Sequence, residues 1–184
     1  MITRKKLLKI TLNVFLAILF LNGCSSKEDA VNWIFFSTLT SETGAELEEL
    51  MQENEIDINN ENIDLQFYSP IYERLIGEIA AHHGDIIFVE EQLLTPVTFD
   101  AEGLQPLNEA IEEGKEVSDK FKLIDPKSGE ENIYGLPIEK DSFMLNLLGT
   151  DINEPIVAII PIYSEKFDSS IKALEELSKT DIDY

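Results

Sequence analysis

The sequence predicts an α/β domain: a three-layer sandwich in which helices cover both faces of a mainly parallel sheet. Two observations carry that expectation. Between Trp33 and Val89, three runs of strand-forming residues alternate with two amphipathic helical stretches, and the third run is almost wholly apolar. Consecutive strand–helix–strand units close with right-handed crossovers and set successive strands parallel.

Trp33 to Thr38 is a continuous run of β-formers, read as a strand buried on both faces. Thr40 or Ser41 can cap the helix that follows, with Glu42 in its first turn and Leu47, Leu50 and Met51 forming one apolar stripe. A polar loop, Asn54 to Asn62, leads to Ile63-Asp64-Leu65-Gln66-Phe67-Tyr68, whose alternation suits a strand nearer a sheet edge. Ser69-Pro70 reads as a cap with proline at the first helical position, and Ile71, Leu75, Ile79 and Ala80 as one face of a second helix stopped by Gly84. Asp85 to Val89, nearly all apolar, reads as a central third strand. Beyond Glu91 the pattern weakens: Leu104 to Leu107 suits a packed turn, Asn108 to Gly114 a short helix, and Pro126-Lys127-Ser128-Gly129 the turn of a hairpin. Ile156 to Ile160 reads as a last strong strand, and Phe167, Ile171, Leu174 and Leu177 mark a closing helix.

The N-terminus carries a different signal. Arg4, Lys5, Lys6 and Lys9 precede an apolar run from Ile10 to Leu21, broken only by Thr11 and Asn13. That run is too short for the roughly 20 residues a helix needs to cross a bilayer, and its basic start matches a secretory signal peptide. Leu21-Asn22-Gly23-Cys24 resembles the bacterial lipobox. The resemblance implies that Cys24 receives a diacylglycerol, that the chain is cut before it, and that acyl groups such as palmitate complete the anchor. Residues 1–23 are then the signal, 24–32 a lipidated tether and 33–184 one domain. The competing reading, an uncleaved membrane anchor with an incidental cysteine, is opposed by the short apolar run and by the Gly-Cys placement. The expected location is the extracytoplasmic face of the cell membrane, with the bilayer as a partner through Cys24.

Composition narrows the function. The chain has 14 Lys and Arg against 36 Asp and Glu, and losing four basic residues with the signal takes its net charge from −22 to −26. Such a surface repels phosphate backbones, so no nucleic acid is expected as a partner. With Cys24, the only cysteine, acylated, no thiol remains for disulfides, thiol catalysis or metal binding.

From Trp33 to Asn146 the order of segments resembles the extracellular solute-binding proteins of ABC transporters, the sugar-binding branch in particular. The matching pieces are "WIFFSTLTSETGAELEELMQE", "YERLIGEIAAHHGDIIFVEE", "LQPL" and "SGEENIYGLPIEKDSFMLN". The family's proline in the third-strand motif is missing, "GDII" standing in its place. Members of that family have two lobes and are much longer. Here "TDINEP" leads directly into "IVAIIPIYSEKFDSSIKALEELSK", which resembles the late strand and helix that return to the first lobe. The resemblance therefore implies one lobe of a periplasmic-binding-protein type II fold with the second lobe absent.

Ligands of open α/β sheets gather outside the carboxyl ends of the strands. The candidate ligand-binding rim is thus Ser37, Thr38, Thr40 and Ser41 after the first strand, Ser69 and Tyr72 after the second, and Glu90 and Glu91 after the third. The family places ligand contacts in the matching loops. Thr40, Ser41 and Ser69 also fit as helix caps, and Glu90-Glu91 as a solvated strand end. His82-His83 does not suit a metal, because neighbouring helical residues point about 100° apart. No hydrolase, metalloprotease or phosphate-loop motif occurs, so no catalytic residue, metal or cofactor is expected. The expected role is binding, to another envelope protein or weakly to a solute. The alternatives are a receptor for a sugar or oligosaccharide ABC importer, with an ABC permease as partner, and an envelope hydrolase.

Overall fold

The computed structural model describes residues 30–40, 42–45, 47, 49, 62–111, 114–139, 142, 144 and 154–178. Cys24, the signal segment and Ser41 lie outside the described residues.

Five strands form the main sheet: β1 (Val31–Phe36), β2 (Ile63–Tyr68), β3 (Ile86–Glu90), β6 (Leu136–Ile138) and β7 (Ile156–Ile159), in the order β2-β1-β3-β7-β6. β1 pairs parallel with β2 and β3, while β7 runs antiparallel to both β3 and β6. Four strands therefore point one way and β7 alone is reversed. The fold is α/β, with a parallel half and a mixed half. β2 lies at an edge and β3 at the centre, as their sequences predict. A hairpin of β4 (Lys122–Ile124) and β5 (Glu131–Ile133) forms a separate two-stranded sheet around the expected turn. Within that turn the Asp125 carboxylate accepts backbone N–H bonds from Lys127 and Ser128, each at 2.8 Å. Those bonds, Ser128 first, hold its pKa below the ordinary value of 3.8.

Alternation along β1 builds two cores. Val31, Trp33 and Phe35 face one side, where Leu47 of the first helical stretch and Ile171, Leu174 and Leu177 of α2 (Phe167–Ser178) complete the packing. Ile34 and Phe36 face the other side, with Leu75 and Ile79 of α1 (Tyr72–Ala80) and the buried Leu93, Leu104 and Phe121. Helices thus cover both faces, giving the three expected layers. Phe35 is sandwiched between Phe67 and Phe88, with centroids 4.7 and 4.4 Å away. Trp33 is fully buried against Phe88, so it packs in the core.

Several expected details are corrected. Strand one begins at Val31 and ends at Phe36, which leaves Ser37 and Thr38 in the loop. α1 starts two residues late: its cap position is Ile71, which makes no side-chain cap bond, so Ser69 is not a cap and Pro70 is not the first helical residue. Ile71 is 51% exposed and Ala80 is exposed, so the buried stripe of α1 reduces to Leu75 with Ile79 partly covered. Near Asn108 only a 3₁₀ turn forms, Asn108–Ala110.

The end of α1 is set by His82 before Gly84. His82 adopts φ 57° while its N–H donates to the Ile79 carbonyl and that of His83 donates to the Glu78 carbonyl, each at 3.0 Å. This is the Schellman arrangement, with histidine where glycine is usual. The imidazole stacks on Tyr163, centroids 4.6 Å apart. His82→Gly should relieve a left-handed strain of about 1–2 kcal/mol but lose the stack, whereas His82→Ala loses the stack and keeps the strain. Urea unfolding should rank the glycine variant above the alanine variant by about 1 kcal/mol. Equal midpoints would show that the backbone at this residue is not strained.

Candidate functional site

The carboxyl ends of β1, β2, β3 and β6 meet at one edge of the sheet, where β7 also begins. The sequence-predicted residues at this rim divide into two groups. Ser37 is buried and its Oγ accepts the Leu39 N–H at 3.2 Å, which shapes the turn out of β1. Glu90 is buried, and its two oxygens accept from the Thr38 N–H (3.0 Å) and from Gln92 Nε2 (2.8 Å). Its carboxylate thereby ties the β1 loop to the end of β3. Thr38 itself is exposed. Thr40 carries the capping role: its carbonyl accepts the Gly44 N–H at 3.1 Å and its hydroxyl lies 3.3 Å from that of Thr43. Ser69 is exposed, and its carbonyl accepts the Ile71 N–H at 2.7 Å.

Glu91 behaves differently, because it lines a concavity of about 380 Å³, which Tyr72 reaches only through its hydrogen bond to Thr95. Its apolar lining is Leu94, Pro96, Phe99, Phe121 and Leu123. Thr95 lines it too and exchanges a hydrogen bond with the Tyr72 hydroxyl at 3.1 Å. Glu91 and Lys120 form an ion pair at its mouth, 2.5 Å apart. The loop that presents Leu94 and Phe99 is held by Thr98, whose buried hydroxyl donates to the Leu93 carbonyl (2.8 Å) and accepts the Thr95 N–H (2.9 Å). Gly135 lies beneath Phe99 and Phe121, where an added Cβ would press on both rings and on Val157. Ile71, Val97 and Ile124 are exposed apolar residues, 51%, 71% and 58% respectively, and none of them lines the notch. Sequence reasoning missed its floor, since residues 94–123 show no periodicity to follow; the aromatic residues Phe99 and Phe121 were the available signal.

A second concavity, about 480 Å³, opens at the opposite, amino edge of the sheet. Its walls are the start of β1 at Asn32, the outer face of β2 at Gln66 and Tyr68, the end of α1 and the loop after β7. Asp85 ties its base together: Oδ2 accepts the backbone and side-chain N–H groups of Asn32 at 2.8 and 3.3 Å, and Oδ1 accepts the Ser164 hydroxyl at 2.9 Å. Tyr163 donates to the His83 carbonyl at 2.7 Å, and burial, reinforced by Asp85 and Glu78, pushes its phenol strongly upward. His83 pairs with Glu78 at 2.7 Å. Both histidines thus serve the end of α1. Among the described residues no group of three or more His, Cys, Asp or Glu could hold a metal ion, and no helix is long and apolar enough to cross a membrane.

No family model matches the chain. No solved structure matches it. The chain is similar to a Bacillus subtilis (strain 168) protein named "Putative lipoprotein YteS", 29% identical over 176 residues, covering 95% of this chain and 98% of that one. A match that wide leaves too few residues over to omit Cys24, so the aligned span includes that position.

Proposed function

We propose that the chain is a bacterial lipoprotein, anchored through Cys24 on the extracytoplasmic face of the cell membrane, whose single α/β lobe binds a partner at its carboxyl rim and performs no catalysis. One observation carries the reading: β7 enters the sheet reversed, between β3 and β6. In this account β7 is the strand that returns from a second lobe. β6 ends and β7 begins at the carboxyl rim, so the segment 139–155 spans the place where a second lobe would leave and re-enter. The lobe is then a reduced relative of the solute-binding proteins. The full-length similarity to a protein named a lipoprotein supports the anchor.

Loss of the second lobe has a physical cost for small ligands. Two closing lobes enclose a ligand and remove it from water, whereas one lobe leaves half the contacts and an open site. Affinity for a small solute should fall by orders of magnitude. The rim favours a larger, partly apolar partner: the deep polar groups Ser37 and Glu90 are committed to the chain itself, and the open notch is floored by Leu94, Phe99, Phe121 and Leu123. An envelope protein, such as an ABC permease, fits that surface better than a sugar does. A thermal-shift panel of sugars and oligosaccharides on the form beginning at Ser25 separates this reading from the importer-receptor alternative.

A further inference from the structure

We propose that the notch at the carboxyl rim seats one large apolar side chain, phenylalanine above all, which a protein partner presents between basic residues. The inference rests on the reading above and gives the partner a chemistry, an apolar centre with a positive surround.

The floor is the first reason. Three side chains lining the notch are polar, and all three are engaged within the chain. Thr95 Oγ1 is held by the Tyr72 hydroxyl at 3.1 Å, by that of Thr98 at 3.3 Å and by the Val97 N–H at 3.3 Å. Glu91 and Lys120 are paired with each other. A sugar hydroxyl entering here gives up hydrogen bonds to water and meets carbon at Leu94, Phe99, Phe121 and Leu123. An apolar side chain gains by covering the same atoms, and a phenyl ring adds offset or edge-on contact with Phe99 and Phe121. The floor is preorganised: Thr98 fixes the loop that carries Leu94 and Phe99, and Gly135 gives Phe99 and Phe121 room to settle. One lobe would leave a small apolar molecule half in water, whereas a protein segment brings its own cover.

Charge is the second reason. Lys122, on the strand that supplies Leu123, pairs with Asp119 at 2.7 Å. Asp119 first, then Glu131 and Glu116, hold the Lys122 ammonium above its ordinary pKa of 10.5. Four carboxylates therefore stand against the two ammoniums of Lys120 and Lys122, in a chain of net charge −22 before the signal's four basic residues are lost. That balance favours a basic segment. Lys120 marks where its cation would sit: the ammonium meets Glu91 and lies 4.8 Å from the centroid of the Phe121 ring. The two side chains are 53% and 33% exposed, so the pair is weak and a partner's cation can replace Lys120 in it.

The test uses the full lipidated chain, isotope-labelled, in phosphatidylcholine nanodiscs, and reads amide chemical shifts as blocked tripeptides are added. Lys-Phe-Lys should shift amides within residues 91–99 and 120–123, and bind about tenfold tighter than Lys-Ser-Lys, which lacks the apolar side chain. Glu-Phe-Glu should bind more weakly than Lys-Phe-Lys by about threefold or more. Lys120→Gln should tighten Lys-Phe-Lys about threefold and Glu91→Gln should weaken it about threefold, opposite effects that a general loss of structure would not produce. Equal binding of Lys-Ser-Lys overturns the proposal, leaving only attraction to an acidic surface. Equal binding of Glu-Phe-Glu also overturns it, as does a titration that leaves the notch amides unmoved. N-acetylphenylalanine amide binding as tightly as Lys-Phe-Lys would give the notch to a small apolar molecule instead. Shifts of the same amides with protein concentration alone would give it to a second copy of the chain. A sugar that stabilises the domain overturns the rim reading itself, whereas silent sugars with a silent notch overturn only the apolar side-chain inference.

Discussion

Replacing Phe35 with alanine is expected to destabilise the domain by about 3–5 kcal/mol, a large share of the roughly 5–15 kcal/mol that holds a typical domain folded. Phe35 is fully buried in the second strand of the sheet, stacked on Phe67 of β2 and Phe88 of β3. Its removal leaves a cavity between two rings that cannot close on each other, because each is fixed to its own strand. Stacked pairs contribute about 0.5–1.5 kcal/mol beyond area burial, and this substitution breaks two. Urea denaturation followed by circular dichroism reads the effect, with Ile71→Ala as the comparison. Ile71 is 51% exposed, so its truncation should stay within about 0.5 kcal/mol. Similar losses for the two variants would mean that β1 does not sit between β2 and β3.

Replacing Cys24 with alanine is expected to abolish lipidation and leave the N-terminal segment uncleaved. A single acyl chain holds a protein to a bilayer only marginally, whereas two or more hold it firmly. Intact mass spectrometry of the membrane fraction separates the possibilities. Wild-type protein should weigh as residues 24–184 plus its acyl groups, and the variant as the full 184-residue chain. Membrane presence alone would not discriminate, since the uncleaved apolar segment could retain the variant. A wild-type mass equal to the unmodified full chain would return the anchoring role to the segment Ile10–Leu21.

The parts of the fold legible in the sequence are those whose burial is local. β2 alternates in sequence and is half-buried along its whole length at the sheet edge, whereas Ile86 to Val89 of β3 are apolar because both faces of that strand are covered. α2 was legible from its 3.6-residue stripe, which the buried Ile171, Leu174 and Leu177 bear out. β6 was not legible: it is three residues long, contains Pro137, and exists as a strand only through pairing with β7, some 20 residues later. Proline is tolerated there because β6 is an edge strand. The direction of β7 was equally hidden, since Ile156 to Ile159 is apolar in either orientation.

At the candidate site, residue type misled in one case and distance concealed in another. Glu90, an acid at a strand end, suggests a solvated or ligand-facing group, yet the Thr38 N–H and Gln92 hold it inside. The floor of the notch joins Leu94 and Phe99 to Phe121 and Leu123, more than 20 residues apart, and only the folded chain brings them together. Glu91 was the rim candidate that lines it, and Tyr72 touches it only through Thr95.

The central claim is that the chain offers half of a solute site. The most direct measurement is thermal unfolding of the form beginning at Ser25 against a panel of sugars and oligosaccharides at millimolar concentration. A receptor with a micromolar site, at about a hundred times its Kd, would gain about 2.7 kcal/mol, which raises the Tm of a domain this size by roughly 5–10 °C. An open single lobe should show a shift of less than about 1 °C with every sugar, because millimolar solute then stays at or below its Kd. A shift of 5 °C or more with any one of them would contradict the account and restore the chain to the importer receptors.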